Sequence, residues 1–333
     1  MSFARLRLLG KGLLALAFGI ATGPVAAQTG TLRLVAPGVW FREVDPGEDE
    51  WLANNVVIEM RDYLIVVDAN MPRGALSLLE NIRKVSSKPV RYVINTHAHA
   101  DHLYGNQIWI EQGATAVAHA GVLEDIKLHE PIRWQTVAKV RADVRDLAPG
   151  HPVTPTEVYS KSLHVISDGE RRVELHHFGW GHTRGDSFVY LPKERLLVTG
   201  DMTANVRNSN SFETRDAYVA NWPKILAATL KLRPRIVASG HGALGGPEVI
   251  RENRRFFLEL HAAVAKAIRK GQRLEDLVQW QGGKPATTSI TLPPDIQARV
   301  YMPMLAQQVI DTFQEITQHR PIGDIPKNWN FEY

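Results

Sequence analysis

Thr96-His97-Ala98-His99-Ala100-Asp101-His102 is the stretch whose reading decides the fold. Three imidazoles and one carboxylate fall within the six positions from His97 to His102. Imidazole nitrogen and carboxylate oxygen are ligands that zinc and iron accept. The apolar run Tyr92-Val93-Ile94 precedes the cluster, which places it where a buried strand leaves a sheet. Open α/β sheets keep their chemistry at such carboxyl ends. His97 and His99 are two apart, so in an extended segment their side chains leave on the same side and one ion can take both. Asp101 and His102 are adjacent and diverge, which suits a second ion.

Two ions need more side chains than these. His182 lies in Gly179-Trp180-Gly181-His182-Thr183-Arg184-Gly185-Asp186-Ser187, after the apolar run Val173 to Phe178. Asp201 follows Leu196-Leu197-Val198-Thr199-Gly200, and His241 follows Ile236-Val237-Ala238-Ser239-Gly240. All three have glycine neighbours, which permit close backbone turns at a crowded site. A lone histidine after a strand is usually a hydrogen-bonded structural residue; the combination carries the signal.

In these motifs the chain resembles the metallo-β-lactamase-fold hydrolases, a superfamily that includes glyoxalase II, lactonases, alkylsulfatases and the zinc β-lactamases. The resemblance spans roughly residues 31 to 245. It rests on Asp68 at a strand end, the His-x-His-x-Asp-His cluster, Gly-His-Thr-x-Gly-Asp from Gly181, Gly200-Asp201, and Ser239-Gly240-His241-Gly242. It implies a four-layer αβ/βα sandwich with the site at one rim. It implies that His97, His99 and His182 hold one metal, that Asp101, His102 and His241 hold a second, and that Asp201 bridges them. Two divalent ions are thus expected, zinc first, although iron or manganese accepts the same ligands. Such ions, about 3.5–4 Å apart, share a hydroxide at neutral pH, with Asp101 and Asp201 as the catalytic carboxylates. Asp68 matches a position that supports the metal loop, and Asp186 is read the same way.

Members with glyoxalase, lactonase or phosphodiesterase chemistry carry a bridging Asp at the position of Asp201, where zinc β-lactamases carry Cys or Ser. The chain has no cysteine, so the ligands come from His, Asp, Glu and water, and disulfides are excluded. Hydrolysis of an ester, thioester or lactone is therefore expected. The alternatives are β-lactam hydrolysis, mononuclear iron dioxygenase chemistry, and a non-catalytic accessory role. A small molecule is the expected partner; oligomeric state leaves no signal.

The 333 residues are 44% hydrophobic, enough for a sizeable core. Residues 1–27 read as an export signal: Arg5, Arg7 and Lys11, then an apolar Leu13 to Ile20, then small residues at Val25-Ala26-Ala27. The apolar run is too short for a comfortable span, so no stable membrane insertion is expected after cleavage, and the periplasm is the expected location. The formal net charge is +4, and removing the three positive leader residues leaves about +1. Such a balance offers no electrostatic case for nucleic acid.

Residues 28–250 are expected to form the metallo-β-lactamase-like domain and 251–333 a C-terminal helical extension. Strands are expected at Thr31 to Val35, Val39 to Phe41, Asn55 to Met60, Tyr63 to Val67, Val90 to Ile94 and Ala114 to Ala118. A second β-rich half spans Leu163–Ile166, Val173–Phe178, Ser187–Tyr190, Leu196–Val198 and Ile236–Ala238. Helices are expected at Arg73 to Val85, Trp222 to Leu232, Glu252 to Lys270 and Asp295 to Thr317. Residues 119 to 150 read only as helical pieces and a loop. His119 and His129 read as surface residues, and His176 and His177 as strand residues facing opposite ways. Tyr104 and Trp109 read as packing residues. Asn70 is a weaker candidate for the rim, and Asn205, Arg207, Asn208 and Asn210 read as a solvated polar loop with a weaker candidacy for orienting a substrate carboxylate.

Overall fold

The computed structural model describes residues 30–44, 52–148, 150–206, 210 and 212–325. The expected export signal, with Arg207 and Asn208, lies outside them. Among the described residues no helix is long and apolar enough to cross a membrane.

The first half builds β1 (Leu32–Ala36), β2 (Val39–Arg42), β3 (Asn55–Glu59), β4 (Leu64–Val67), α1 (Pro72–Val85), β5 (Val90–Ile94), α2 (Ala100–Leu103), α3 (Asn106–Glu111), β6 (Thr115–His119), α4 (Ala120–Val140), α5 (Ala142–Arg145) and β7 (Glu157–Tyr159). Its sheet runs β1 to β7 in sequence order. Strands β1 to β4 pair antiparallel, and β4 to β7 pair parallel. The second half builds β8 (Leu163–Ser167), β9 (Arg172–His176), β10 (Phe188–Leu191), β11 (Leu196–Asn205), α6 (Trp222–Thr229) and β12 (Ile236–Gly242). These strands form a sheet of order β12-β11-β10-β9-β8, in which only the β11–β12 pair is parallel.

Side-chain alternation explains the layers. On β4, Ile65 and Val67 join Phe41, Ile58, Ile94 and Val117 in a core shared with Val173, Leu175, Val189, Leu196 and Val198 of the second sheet. Leu64 and Val66, one residue out of phase, pack on the other face with Ala75, Leu78 and Ile82 of α1. Leu197 and Phe188 likewise turn outward, onto α6 and the C-terminal helices. Both sheets are therefore apolar on both faces, with helices outside: the expected four-layer sandwich.

The C-terminal part contains α7 (Pro247–Arg269), α8 (Leu274–Leu277), the hairpin β13 (Val278–Gln281) and β14 (Lys284–Thr288), α9 (Pro294–Gln297) and α10 (Met302–Gln318). The boundary expected at residue 250 falls inside α7. The single helix expected at Asp295 to Thr317 is two, because Pro303, in the first turn of α10, has no N–H to continue a helix from α9. The hairpin was not anticipated. Phe256, Phe257, Leu260, Leu305 and Val309 share one core with Trp222, Leu226 and Leu197, so these helices are the outer layer of the second sheet.

Candidate metal centre

The backbone leaves β5 at Asn95, bends through Thr96 to His99, and enters the short helix α2 at Ala100. His97 and His99 precede the helix, and Asp101 and His102 lie in its first turn. That turn makes Asp101 and His102 converge, with Oδ2 and Nε2 3.3 Å apart, rather than diverge as an extended chain would require. His182 lies in the turn after β9. Asp201 and His241 lie within strands rather than after them, since β11 continues to Asn205 and β12 to Gly242. Asp201 sits where the β11–β12 register slips, between Gly200 and Ala204. Gly200 makes the slip possible: its φ is +50°, and a Cβ there would meet Thr96 Oγ1 at 2.5 Å.

All seven candidates come together as two groups that share Asp201: His97, His99, His182 and Asp201, and Asp101, His102, Asp201 and His241. Within each group one ligand atom per residue lies within 4.8 Å of the others. Asp201 Oδ2 lies 3.9 Å from both His97 Nε2 and His182 Nε2, and 3.4 Å from His241 Nε2. Its Oδ1 lies 3.3 Å from His102 Nε2. His241 Nε2 closes the second group at 3.1 Å from Asp101 Oδ2.

A structural layer behind the cluster turns the rings. His102 Nδ1 pairs with Asp68 Oδ2 at 2.8 Å, which leaves Nε2 for the group. Thr96 Oγ1 donates to Asp68 Oδ2 at 3.1 Å and stands 3.1 Å from His97 Nδ1, so His97 also presents Nε2. His99 Nε2 pairs with Asp216 Oδ2 at 3.2 Å, which aims Nδ1 inward, 3.1 Å from His182 Nε2. Such partners fix ring orientation and tautomer at metal sites. Asp186 accepts from the main-chain N–H of Gly181, His182 and Thr183 and from Thr183 Oγ1, holding the His182 turn closed.

The donor set fits a divalent metal. His97 Nε2 is buried and has no hydrogen-bond partner among the described residues. Two imidazole nitrogens facing each other at 3.1 Å, beside a third and a carboxylate oxygen, match the nitrogen and oxygen ligation of zinc. Burial, reinforced by His102, holds His97 well below its ordinary value, and burial brings His182 down to about 3. Both rings keep lone pairs at neutral pH. Burial opposes the charge on Asp201, but His241 and His102 beside it hold the carboxyl well below its usual range. Asp101 is held down in the same way, chiefly by His102.

Several individual expectations change. His129 is buried, with Nε2 3.7 Å from Asp216 Oδ1, and is not a surface residue. His119 is partly buried: it caps α4 by accepting from Gly121 N at 3.2 Å and stacks on His177 with ring centroids 3.7 Å apart. His177 Nδ1 reaches Asp186 O at 2.9 Å, and His176 pairs with Glu174. Asn70 is fully buried at φ +63° and binds Ala53 O and Asn55 Oδ1, so it is a framework residue and not a rim residue. Asn210 is fully buried as well, bonded to Tyr301, and Asn205 donates to Ala243 O. Trp109 and Tyr104, by contrast, are packed inside as expected, Trp109 donating to Ala69 O and Tyr104 to Glu130. Asp216, Arg133 and Glu130 were not anticipated; nothing in local sequence distinguishes them.

The model of the metallo-beta-lactamase superfamily matches residues 49–241. A type 2 metallo-beta-lactamase of Bacillus cereus is 28% identical over 196 residues, covering 58% of this chain and 68% of its own length. A linear primary-alkylsulfatase of a Pseudomonas strain is 24% identical over 288 residues, covering 75% of this chain, which spans about half (52%) of that relative. The solved structure of the sec-alkylsulfatase Pisa1 from Pseudomonas superposes with a TM-score of 0.63 at 17% identity, over 86% of this chain and 50% of that one. The layered fold, the two candidate ligand groups and a family match over more than half of its length place the chain in the metallo-beta-lactamase superfamily of hydrolases.

Proposed function

We propose that this hydrolase uses two divalent metal ions to cleave an ester, thioester or lactone. The observation that carries the reading is the Asp201 carboxylate, whose two oxygens face both histidine groups. His97, His99 and His182 would hold one ion, Asp101, His102 and His241 the other, and Asp201 both. Ions bound there would supply Lewis acidity and a water acidified for attack at neutral pH. The residues do the rest. Asp68, Thr96 and Asp216 hold three rings in register, and the anionic Asp101 and Asp201 offset the positive charge of the ions. With seven ligands in place, no side-chain nucleophile is required. An exported leader over residues 1–27 would deliver the enzyme to the periplasm.

A carboxylate at position 201, in a chain without cysteine, supports ester chemistry over β-lactam chemistry. A second reading, an alkyl sulfate ester as substrate, draws on the alkylsulfatase likeness, which extends over more of the chain than the family match. The test is metal quantification together with a panel of carboxylic esters, thioesters, lactones, an alkyl sulfate and nitrocefin. About two divalent ions per chain are expected, with fastest turnover on an ester, thioester or lactone. Faster turnover of nitrocefin or of the alkyl sulfate would overturn the substrate reading. About one iron per chain, with oxygen uptake on a persulfide, would overturn hydrolysis itself.

A further inference from the structure

Helix α10 contributes no ligand and lies beyond the family match, which ends at residue 241. It nonetheless holds the segment that reaches the metal centre from the far side. Gln308 Nε2 donates to Asn210 O and Phe212 O, each at 3.0 Å. Asp311 Oδ2 accepts from Thr214 Oγ1 at 2.7 Å. Glu315 accepts from the main-chain N–H of Val219 and Ala220, each at 2.8 Å. Gly323, just past the helix, donates to Ala217 O at 3.1 Å. Three successive turns of one buried helix face thus grip Asn210 and residues 212 to 220.

Asp216 lies in the middle of that grip and is itself buried. Its Oδ2 faces His99 Nε2 at 3.2 Å and takes Arg133 Nη2 of α4 at 2.5 Å. Its carbonyl oxygen accepts from Trp180 Nε1 at 2.8 Å. The orientation of His99 therefore depends on an aspartate whose backbone is placed by α10.

We propose that α10 is a positioning element of the metal centre, acting through Glu315, Asp311 and Gln308 on the 212–220 segment and through Asp216 on His99. The inference rests on the two-ion hydrolase reading and adds that the effect is confined to the ion held by His97, His99 and His182. The test is chelator-competition titration of both zinc ions in the full chain, with the wild type, Asp216→Ala, Asp216→Asn and Glu315→Ala. Asp216→Ala is expected to weaken one ion by about 10–100-fold and leave the other unchanged. Asp216→Asn, which keeps an acceptor for His99, is expected to recover most of that loss. Glu315→Ala is expected to weaken the same ion by a smaller factor. Equal weakening of both ions, as a general loss of folding would give, or no weakening of either, overturns the proposal. Should Asp216→Ala fail to fold, Asp216→Asn and Glu315→Ala decide by the same selectivity. A wild-type chain that retains no ion would overturn the hydrolase reading beneath it.

Discussion

Asp201 concentrates the dependence of the site on one side chain. Asp201→Asn keeps the shape and removes the charge, so metal affinity and turnover are expected to fall by at least about 100-fold, the upper end of what lost supporting partners cost. Metal analysis and kcat/KM check this, and wild-type values would refute the bridge. Gly240 gives an independent handle, since a Cβ there would collide with Asp201 Oδ1. Gly240→Ala is therefore expected to displace the carboxylate and lower metal content without touching a ligand, which metal analysis of the purified variant reads directly. At this scale the seven candidate ligands that the fold brings together were legible because His and Asp are chemically conspicuous, and because Gly-His and Gly-Asp pairs after apolar runs stand out. Asp216 was not: it is one acid in a polar loop, and its partners His99 and Arg133 are 117 and 83 residues away.

Helix α4 shows why an element can hide in a sequence. Its buried side chains include Asp125, His129, Glu130 and Arg133, so the face turned inward is largely polar and the apolar stripe that marks a helix is missing. Charge pairing replaces apolar burial there, with Arg133 Nη1 2.8 Å from Glu130 Oε1. At the head of the same helix, burial and the stacked His177 lower His119 from 6.5 to about 4. A depressed histidine leaves stability whole above about pH 6.5 and removes it as the pH falls toward 4, because the unfolded chain takes up the proton first. His119→Asn keeps a capping oxygen for Gly121 N and removes the stacked ring. Its melting temperature is expected to fall less between pH 7.5 and pH 5 than that of the wild type. The difference should be roughly 2–4 °C, for about 1 kcal/mol at a partly screened site. An equal fall in both would exclude the pair as an acid-labile element. The buried central strands, by contrast, were legible to within a residue or two at their starts, because two-sided burial writes them as short continuous apolar runs, whereas β7, the β13–β14 hairpin and the polar ends of β11 and β12 carry no such run and were not.

In the whole molecule, the C-terminal helices close the second sheet. Phe257 stacks on Trp222 with centroids 4.2 Å apart, joining α7 to α6. Phe257→Ala is expected to cost about 3–5 kcal/mol, measured by denaturant unfolding. Metal removal with EDTA is expected to lower the melting temperature, since an ion held at about 100 times its Kd adds about 2.7 kcal/mol to the folded state. An unchanged melt after confirmed metal loss would remove that contribution. The sandwich as a whole was legible through the family's motifs, whereas periodicity alone reached only α/β. How the C-terminal helices pack was not legible, because amphipathic stripes do not name the surface they cover.

Asn54 ties the two sheets together next to the centre: its side chain donates to Ser239 O at 3.0 Å and Gly242 O at 2.7 Å, and its own N–H to Gly240 O at 2.8 Å. Those contacts join positions 185 to 188 residues apart, and the candidate ligands themselves run from His97 to His241. Neither half of the chain holds all seven candidate ligands, so the complete centre requires long-range docking of the two halves, the slow kind of contact to form. An ion bound as proposed would act as a latch across that seam, so its release to a chromogenic chelator is expected to be slower from the wild type than from Asn54→Ala, a comparison that needs no substrate.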